Sequence, residues 1–370
     1  MWDKFFELDP AKSFFWMRFN KNAVLSQSLT QVDTIEFLDK LWLPKNRSST
    51  PWKSGYFGMI PYENWKKPNH FKKISIYRAE NLEFFPNISS PKTKAQSWPY
   101  KPLNNEAQFL EGARNAIQDI KDGRFYQINL LRYFELIKSP SFQECIQNLG
   151  TLGGPWSSWV HTQDLEILSF SPEQFIQILP KDQETFSLKT FPIKGTRPRH
   201  HDHKQDQQAI QELLNSEKEK AELHMIIDLM RNDLNQISRP NTVKVNKTRE
   251  LHSFHGVHHT IGEVESEIDA FRFKDLIQSL CPGGSITGTP KLEVMKAIKE
   301  YEKRDRGPFM GHMFYWDDSY QLHSNVLIRT LAHHQDKWNF ATGSGITMQS
   351  DPEEELREIQ AKCRSFLSHN

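Results

Sequence analysis

Leu188-Lys189-Thr190-Phe191-Pro192-Ile193-Lys194-Gly195-Thr196-Arg197 is the stretch on which the reading of this chain turns. It sets one lysine, Lys194, two residues after a proline and directly before a glycine. Pro192 fixes its own φ and drives Phe191 towards an extended conformation, while Gly195 lets the chain turn immediately beyond the lysine. Such a segment can aim a side chain. An amine is a nucleophile only when neutral, so a reactive lysine has to be held where burial or nearby cations disfavour the ammonium. Taken alone, a Pro/Gly turn of this kind displays a solvated surface lysine. The chain on either side gives Lys194 another meaning.

On the N-terminal side, Phe109, Ala113, Ile117 and Ile120 recur at helical spacing over 105–122, with Gly123 as the stop. Residues 125–136, 165–170 and 174–179 read as strands, the last two around the turn Ser171-Pro172-Glu173, and 55–60 reads as an earlier strand. On the C-terminal side one long helix is predicted over 206–234, with Leu223, Ile226, Ile227, Met230 and Leu234 as its apolar stripe. Strands at 243–245 and 256–264, a helix at 273–280, a glycine-rich turn at 282–290 and a helix at 291–301 follow. Strands at 310–316, 322–331 and 338–342 and a helix at 352–367 close the chain. Residues 1–100 mix aromatic clusters such as Phe14-Phe15-Trp16 with turn material such as 47–51, and the loop at 86–102 is rich in Pro, Ser, Asn and Lys. That loop divides an N-terminal region, 1–100, from a larger region, 101–370. With no repeat and no regular strand–helix alternation, the pattern favours an α+β fold with antiparallel sheets over a doubly wound one.

Two of these helices carry glutamates three residues apart, Glu219 with Glu222 and Glu355 with Glu358, a spacing that puts each pair on one side of its helix. If the helix ends meet, four carboxylates converge on a site suited to Mg²⁺, a hard ion that takes oxygen ligands and keeps waters for substrate oxygens to replace. Separately they read as solvated helical acids, with Glu358 and Lys362 as an i,i+4 pair. Gly343-Ser344-Gly345-Ile346 can expose successive N–H groups as an anion nest, and Arg329, read inside a strand at 326–330, can grip a carboxylate with two hydrogen bonds. The run from Gly283 to Lys291 is not a P-loop, because Thr289 stands where that motif requires lysine. It reads instead as a turn that brings N–H groups and Thr287 to a site before Pro290 opens a helix. His252, His255, His258 and His259 lack an accompanying cysteine and are interrupted by Gly256, which speaks against a transition-metal site. His259 alone can carry a proton. Glu173 places one carboxyl at a turn, where a raised pKa would make it a general acid.

Composition narrows the partners. The 370 residues include 47 basic and 46 acidic side chains, a formal net charge of +1, so nothing favours a nucleic-acid or membrane surface. Cys145, Cys281 and Cys363 match no paired spacing and read as reduced, which suits a cytoplasmic enzyme of a small molecule. The N-terminus has charges among its aromatics, unlike a signal peptide, and no segment approaches the roughly 20 apolar residues of a membrane helix.

In their order along the chain these segments resemble one family, the chorismate-utilising enzymes, over about residues 105–368. The likeness is carried by Gly123-Arg-Phe-Tyr-Gln-Ile-Asn-Leu130, Ser169-Phe-Ser-Pro-Glu-Gln-Phe175, Pro192-Ile-Lys-Gly-Thr-Arg197 and the helix Glu219 to Leu234. It continues through Gly283 to Lys291, Asn325 to Thr330, Gly343 to Ile346 and Ser350 to Cys363. The resemblance implies two large antiparallel sheets packed as a sandwich with helices outside, the anthranilate synthase component I-like fold. Lysine at position 194, where anthranilate synthases usually have alanine, resembles the aminodeoxychorismate synthase component I branch. That branch implies Lys194 as covalent nucleophile at C2 of chorismate, Glu173 as general acid/base at the leaving C4 hydroxyl, and His259 near the C4 side. It implies Mg²⁺ with Glu222 and Glu358 as direct ligands and Glu219 and Glu355 completing the shell. Arg329, Gly345, Gly343 and Thr287 would hold a substrate carboxylate, and a separate glutamine amidotransferase would supply ammonia. The alternatives are anthranilate synthase component I, isochorismate synthase, or a catalytically silent subunit. Departures such as Cys281-Pro282 for Phe-Pro and Asn235-Gln236 for Gly-Arg touch none of these positions, and the loose match before residue 100 supports no regulatory pocket for tryptophan.

Overall fold

The computed structural model describes residues 1–32, 54–63, 74–88, 94–182, 184–200, 202–253, 257–269 and 272–367. The chain begins with α1 (Trp2–Phe6), β1 (Phe14–Phe19), β2 (Asn22–Ser26), β3 (Ser28–Val32), β4 (Gly55–Ile60), β5 (Ser75–Glu80), β6 (Glu83–Phe85) and β7 (Tyr100–Pro102). Next come α2 (Glu106–Lys121), β8 (Gln127–Leu136), α3 (Phe142–Leu152), β9 (Ser158–His161), β10 (Glu166–Ser169), β11 (Gln174–Pro180), β12 (Thr185–Thr190) and β13 (Ile193–Pro198). After them stand α4 (His203–Asn215), α5 (Glu217–Asn235), β14 (Lys244–Ser253), β15 (Val257–Asp269) and α6 (Phe273–Leu280). A 3-10 turn (Gly284–Ile286), β16 (Gly288–Thr289) and α7 (Lys291–Glu302) lead to β17 (His312–Asp317), β18 (Leu322–Val326), β19 (Thr330–His334), β20 (Lys337–Ile346) and α8 (Pro352–Leu367).

The strands form two ten-stranded antiparallel sheets. The first has the order β16-β8-β20-β19-β10-β9-β1-β2-β6, with β7 beside β8; the second has β13-β15-β12-β11-β18-β17-β4-β5-β3, with β14 beside β15. Strands from before residue 100 therefore lie at the far end of both sheets. The sheets meet face to face through aromatic side chains: Phe15 of β1 stacks on Phe57 of β4 at 4.0 Å, and Phe19 lies 4.7 Å from the His323 ring of β18. Phe15 and Phe57 are wholly buried, each contributing about 1.5–3 kcal/mol by leaving water. Along β15 buried and half-buried positions alternate, as expected of a strand with one face in the core, whereas β8 is buried along nearly its whole length. Helices α2, α7 and α8 pack at the β8–β20 end of the first sheet, and α4 and α5 on β13 and β15 of the second. This is the α+β sandwich expected from the sequence.

Three sequence readings need correction. The long helix over 206–234 is two helices, broken at Ser216, which closes α4 and caps α5 by accepting a hydrogen bond from Glu219 N at 3.3 Å. A serine hydroxyl offers the backbone an alternative to the helical ladder, and Ser216 with Glu219 three residues on has the spacing of a helix start. The predicted strand at 322–331 is two strands in different sheets. The chain crosses from one to the other at 327–329, and Arg329 takes a left-handed conformation at φ 48°, so it lies in neither ladder. Gly343 to Ile346 form no nest, because they continue β20 in register with β8, Gly343 opposite Leu131 and Gly345 opposite Asn129. Strands β14 and β15 also run further than expected. The turn at 47–51 and His255 lie outside the described residues.

Candidate active site

At one end of the sandwich the two sheets and the starts of α5 and α8 enclose a cavity of about 640 Å³. Lys194, Glu173, His259, Arg329, Gly343, Gly345, Glu219, Glu222, Glu355 and Glu358 all line it. The restart at Ser216 is what points α5 there, since it puts Glu219 and Glu222 in that helix's first two turns.

Lys194 enters from β13. The register with β15 shifts between Lys194 and Thr196, with Gly195 at φ +80°, so the lysine projects from a bulge that a glycine makes possible. Its backbone carbonyl accepts a hydrogen bond from Thr260 Oγ1. Its amine lies 2.9 Å from Glu222 Oε2, and a β-carbon placed on Gly345 would stand 3.3 Å from that amine. Pinned at both ends, the side chain spans the cavity from the second sheet to the first.

The four glutamates reach one cavity, yet each is engaged separately. Glu219 pairs with Arg197 at 2.9 Å, Glu222 with Lys194, and Glu358 with Lys362 at 2.6 Å, while Glu355 accepts hydrogen bonds from Ser344 and, at 2.6 Å, from Ser350. Among the described residues no three acidic, histidine or cysteine side chains are already gathered as a metal cage. The donors nevertheless suit a hard divalent ion: all are carboxylates, and Glu219 Oε2 is buried without a hydrogen-bond partner.

Glu173 is 7% exposed, in the turn between β10 and β11. Ser171 Oγ accepts from its backbone N–H at 3.1 Å, and its own carbonyl accepts from Val326 N. Burial pushes its carboxyl up to about 7, against a hydrogen bond donated by Ser285 Oγ at 2.9 Å and the charge of Lys194, both of which favour the anion. A carboxyl so poised can donate or accept a proton near neutrality. His259 is held the other way: burial and then the Arg329 charge push it down to about 4, so the ring is neutral at pH 7. Its Nδ1 faces Thr196 Oγ1 at 3.0 Å and the Gly195 carbonyl at 3.3 Å.

Arg329 is a cation with burial working against its charge. Its guanidinium makes no hydrogen bond or ion pair among the described residues and borders the cavity. Beside it, β19 pairs with β20 only from Lys337 to Phe340, so the edge of β20 beyond residue 340 faces the cavity instead of a strand. Along that open edge, not in a nest, Gly343 and Gly345 face the cavity, with the Gly343 carbonyl accepting from Lys362 Nζ at 2.9 Å. Thr287 is placed otherwise than expected. It is fully buried behind the wall, with its hydroxyl given to the Gly283 carbonyl at 2.8 Å.

The chain matches the family described as chorismate binding enzyme over residues 7–368. It belongs to that family. It is 32% identical over 289 residues to anthranilate synthase component 1 3 of Haloarcula marismortui, covering 76% of this chain and 56% of that protein. It is 34% identical over 250 residues to aminodeoxychorismate synthase component 1 of Salmonella typhimurium, covering 67% and 54%. The chain thus spans little more than half the length of these relatives. Anthranilate synthase component I of Streptococcus pneumoniae has the same fold, with a TM-score of 0.76 at 21% identity over 97% of this chain and 93% of that one.

In this member of the family several wall residues escape a reading of the sequence. Ser285, Arg197 and Ser344 act on Glu173, Glu219 and Glu355. Asn129 of β8 lines the cavity with its Oδ1 buried and unpartnered. Each sits inside a motif carrying the family likeness, but the pairings of Ser285, Arg197 and Ser344 join one motif to another, which spacing does not reveal. The clustered histidines point apart: His258 lies between Asp206 at 3.0 Å and Ser253 at 2.7 Å, and His252 against Glu250 at 2.6 Å.

Proposed function

We propose that this protein is the chorismate-aminating component of an aminodeoxychorismate synthase, converting chorismate and ammonia to 4-amino-4-deoxychorismate and water. The observation that carries the reading is Lys194, whose amine stands inside the glutamate-lined cavity within 2.9 Å of Glu222. Relatives named for anthranilate and for aminodeoxychorismate synthesis are about equally similar, so identity alone does not choose between them.

In this reading the pair with Glu222 opens, the Lys194 ammonium gives up a proton to solvent, and the neutral amine attacks C2 of the ring as the C4–O bond breaks. Glu173 Oε2 gives its proton to the departing hydroxyl, which leaves as water. Ammonia then bonds to C4, the C2–N bond to Lys194 breaks to restore the amine, and the new C4 ammonium returns a proton to Glu173. Arg329 and the open edge of β20, which passes beside the Lys194 amine at Gly345, hold a substrate carboxylate and fix the ring against the lysine. Glu222 and Glu358, with Glu219 and Glu355 around them, would hold Mg²⁺, which when bound neutralises and orients a carboxylate. His259, neutral, offers a hydrogen bond on the C4 side. Ammonia comes from a separate glutamine amidotransferase.

The test is product identity. Purified protein is incubated with chorismate, Mg²⁺ and ammonium, and aminodeoxychorismate lyase is then added. Fluorescent 4-aminobenzoate is expected; anthranilate, isochorismate or no product defeats the reading. Lys194→Ala should lower amination at C4 by at least about 10³-fold, the scale of a lost nucleophile. An unchanged rate would remove the covalent step.

A further inference from the structure

Among the cavity's groups, one hydroxyl touches the acid and has no role in the reaction as described. Ser285 sits in the middle of the 3-10 turn Gly284–Ile286, and its Oγ donates to Glu173 Oε1 at 2.9 Å. In a carboxylic acid the carbonyl oxygen is the stronger acceptor, so a hydroxyl donating to Oε1 favours the proton on Oε2. The other oxygen, Oε2, has no protein partner among the described residues, and Glu173 lines the cavity.

The turn carrying Ser285 is braced on every side. Gly283 N–H donates to His312 Nε2 at 3.3 Å, and Phe175 stacks on that ring at 3.7 Å. The wholly buried Arg306 donates to the Ile286 carbonyl at 3.1 Å and to the Asn129 carbonyl at 2.6 Å, while ion-pairing with Glu302 at 2.6 Å. Asn129 N donates to the Thr287 carbonyl at 2.9 Å. On the remaining side Gly284 lies against Leu229, where an added β-carbon would come within 2.3 Å. A turn held at this many points does not wander, so the Ser285 hydroxyl is fixed relative to Glu173.

We infer that Ser285 is a positioning residue for Glu173: its hydroxyl occupies Oε1, so that the transferable proton resides on Oε2 and faces the cavity. This rests on the proposed role of Glu173 and adds the group that orients it. A donated hydrogen bond also favours the anion, so Ser285 limits how far burial lifts the carboxyl. The charged and titratable groups sharing the cavity wall with Glu173 are Lys194, His259, Arg329, Glu219, Glu222, Glu355 and Glu358, with Arg197, Lys218 and Lys362. Of these Lys194 acts on it most directly.

The experiment is a titration of the carboxyl carbons of protein labelled with ¹³C at glutamate Cδ, with Glu173→Gln used to assign the signal. It is done without substrate in the unsubstituted chain, in Ser285→Ala and in Ser285→Thr, alongside kcat and KM against pH. In Ser285→Ala the Glu173 midpoint should rise by about one to two pH units, the scale of one hydrogen bond to a charged acceptor. The loss of kcat at alkaline pH should move up with it, and at neutral pH kcat should fall while KM stays within about two-fold. Ser285→Thr, which keeps the hydroxyl, should return the midpoint to that of the unsubstituted protein. An unmoved midpoint in Ser285→Ala overturns the inference even if kcat falls, since a packing defect alone does that. Because the titration needs no chorismate, failure of the unsubstituted protein to turn chorismate over counts against the proposed function and leaves the Ser285 result to be judged separately.

Discussion

Replacing Arg329 with methionine separates a group kept for its ligand from one kept for the fold. The guanidinium borders the cavity with no hydrogen bond or ion pair among the described residues, and burial disfavours its charge. Holding it there costs stability, so an apolar side chain of similar length should leave Tm unchanged or raise it by a degree or two. Substrate binding should suffer instead. A bidentate grip on a carboxylate makes two charge-assisted hydrogen bonds worth about 1.5–3 kcal/mol each, and exchange with water leaves a net loss near 3 kcal/mol. That loss corresponds to a rise in KM for chorismate of about 10²-fold. Steady-state amination and a thermal melt on the same preparation read both quantities. A drop in Tm of more than about 4 °C would show a structural arginine, and an unchanged KM would show that the carboxylate lies elsewhere.

Three other outcomes follow from the same geometry. Glu173 has a folded pKa of about 7 against an ordinary 4.5, so the folded state holds the extra proton and stability falls as pH rises through that interval. Glu173→Gln should therefore be more stable than the unsubstituted protein by up to about 3 kcal/mol at pH 8 and equal to it near pH 4, read by urea denaturation at each pH; the opposite pH trend would refute the assignment. Arg306→Met should cost about 3–5 kcal/mol, because it leaves the buried Glu302 carboxylate without its counter-charge, with only Leu131 N–H and the Tyr133 hydroxyl among the described residues donating to it, and takes a donor from the Ile286 and Asn129 carbonyls; a denaturation midpoint within error of the unsubstituted protein's would contradict that network. Chelation with EDTA should abolish chorismate turnover while the chain stays folded, Tm falling only by the few degrees that loss of a bound ion costs, since every glutamate in the cavity has a partner of its own; unfolding on chelation would mean the ion is structural.

Much of this was legible because it is periodic. The closing helix at 352–367, the helix at 273–280 and the strand at 55–60 appear at the bounds their residue patterns gave. The cavity's cast was legible as well, because lysine, arginine and paired glutamates each invite a chemical question wherever they stand. Geometry between distant segments was not. The run of Val326, Leu327 and Ile328 is apolar whether it stays in one sheet or passes between two, so nothing local announced the crossing at Arg329. The glycines of β20 satisfy a nest and a strand equally well, and pairing with β8 decides. Ser285 meets its partner 112 residues away, beyond any reach of spacing. Ser216 is the exception, a helix start readable in its own four residues but hidden by the apolar stripe that follows.

The passage of the chain from one sheet to the other at 327–329 gives the gap between the layers a second use. Arg329 is hung between β18 of the second sheet and β19 of the first, so a change in the separation of the sheets would carry it relative to Lys194 on β13. Aromatic side chains packed between the sheets, Phe15 against Phe57 among them, hold that separation.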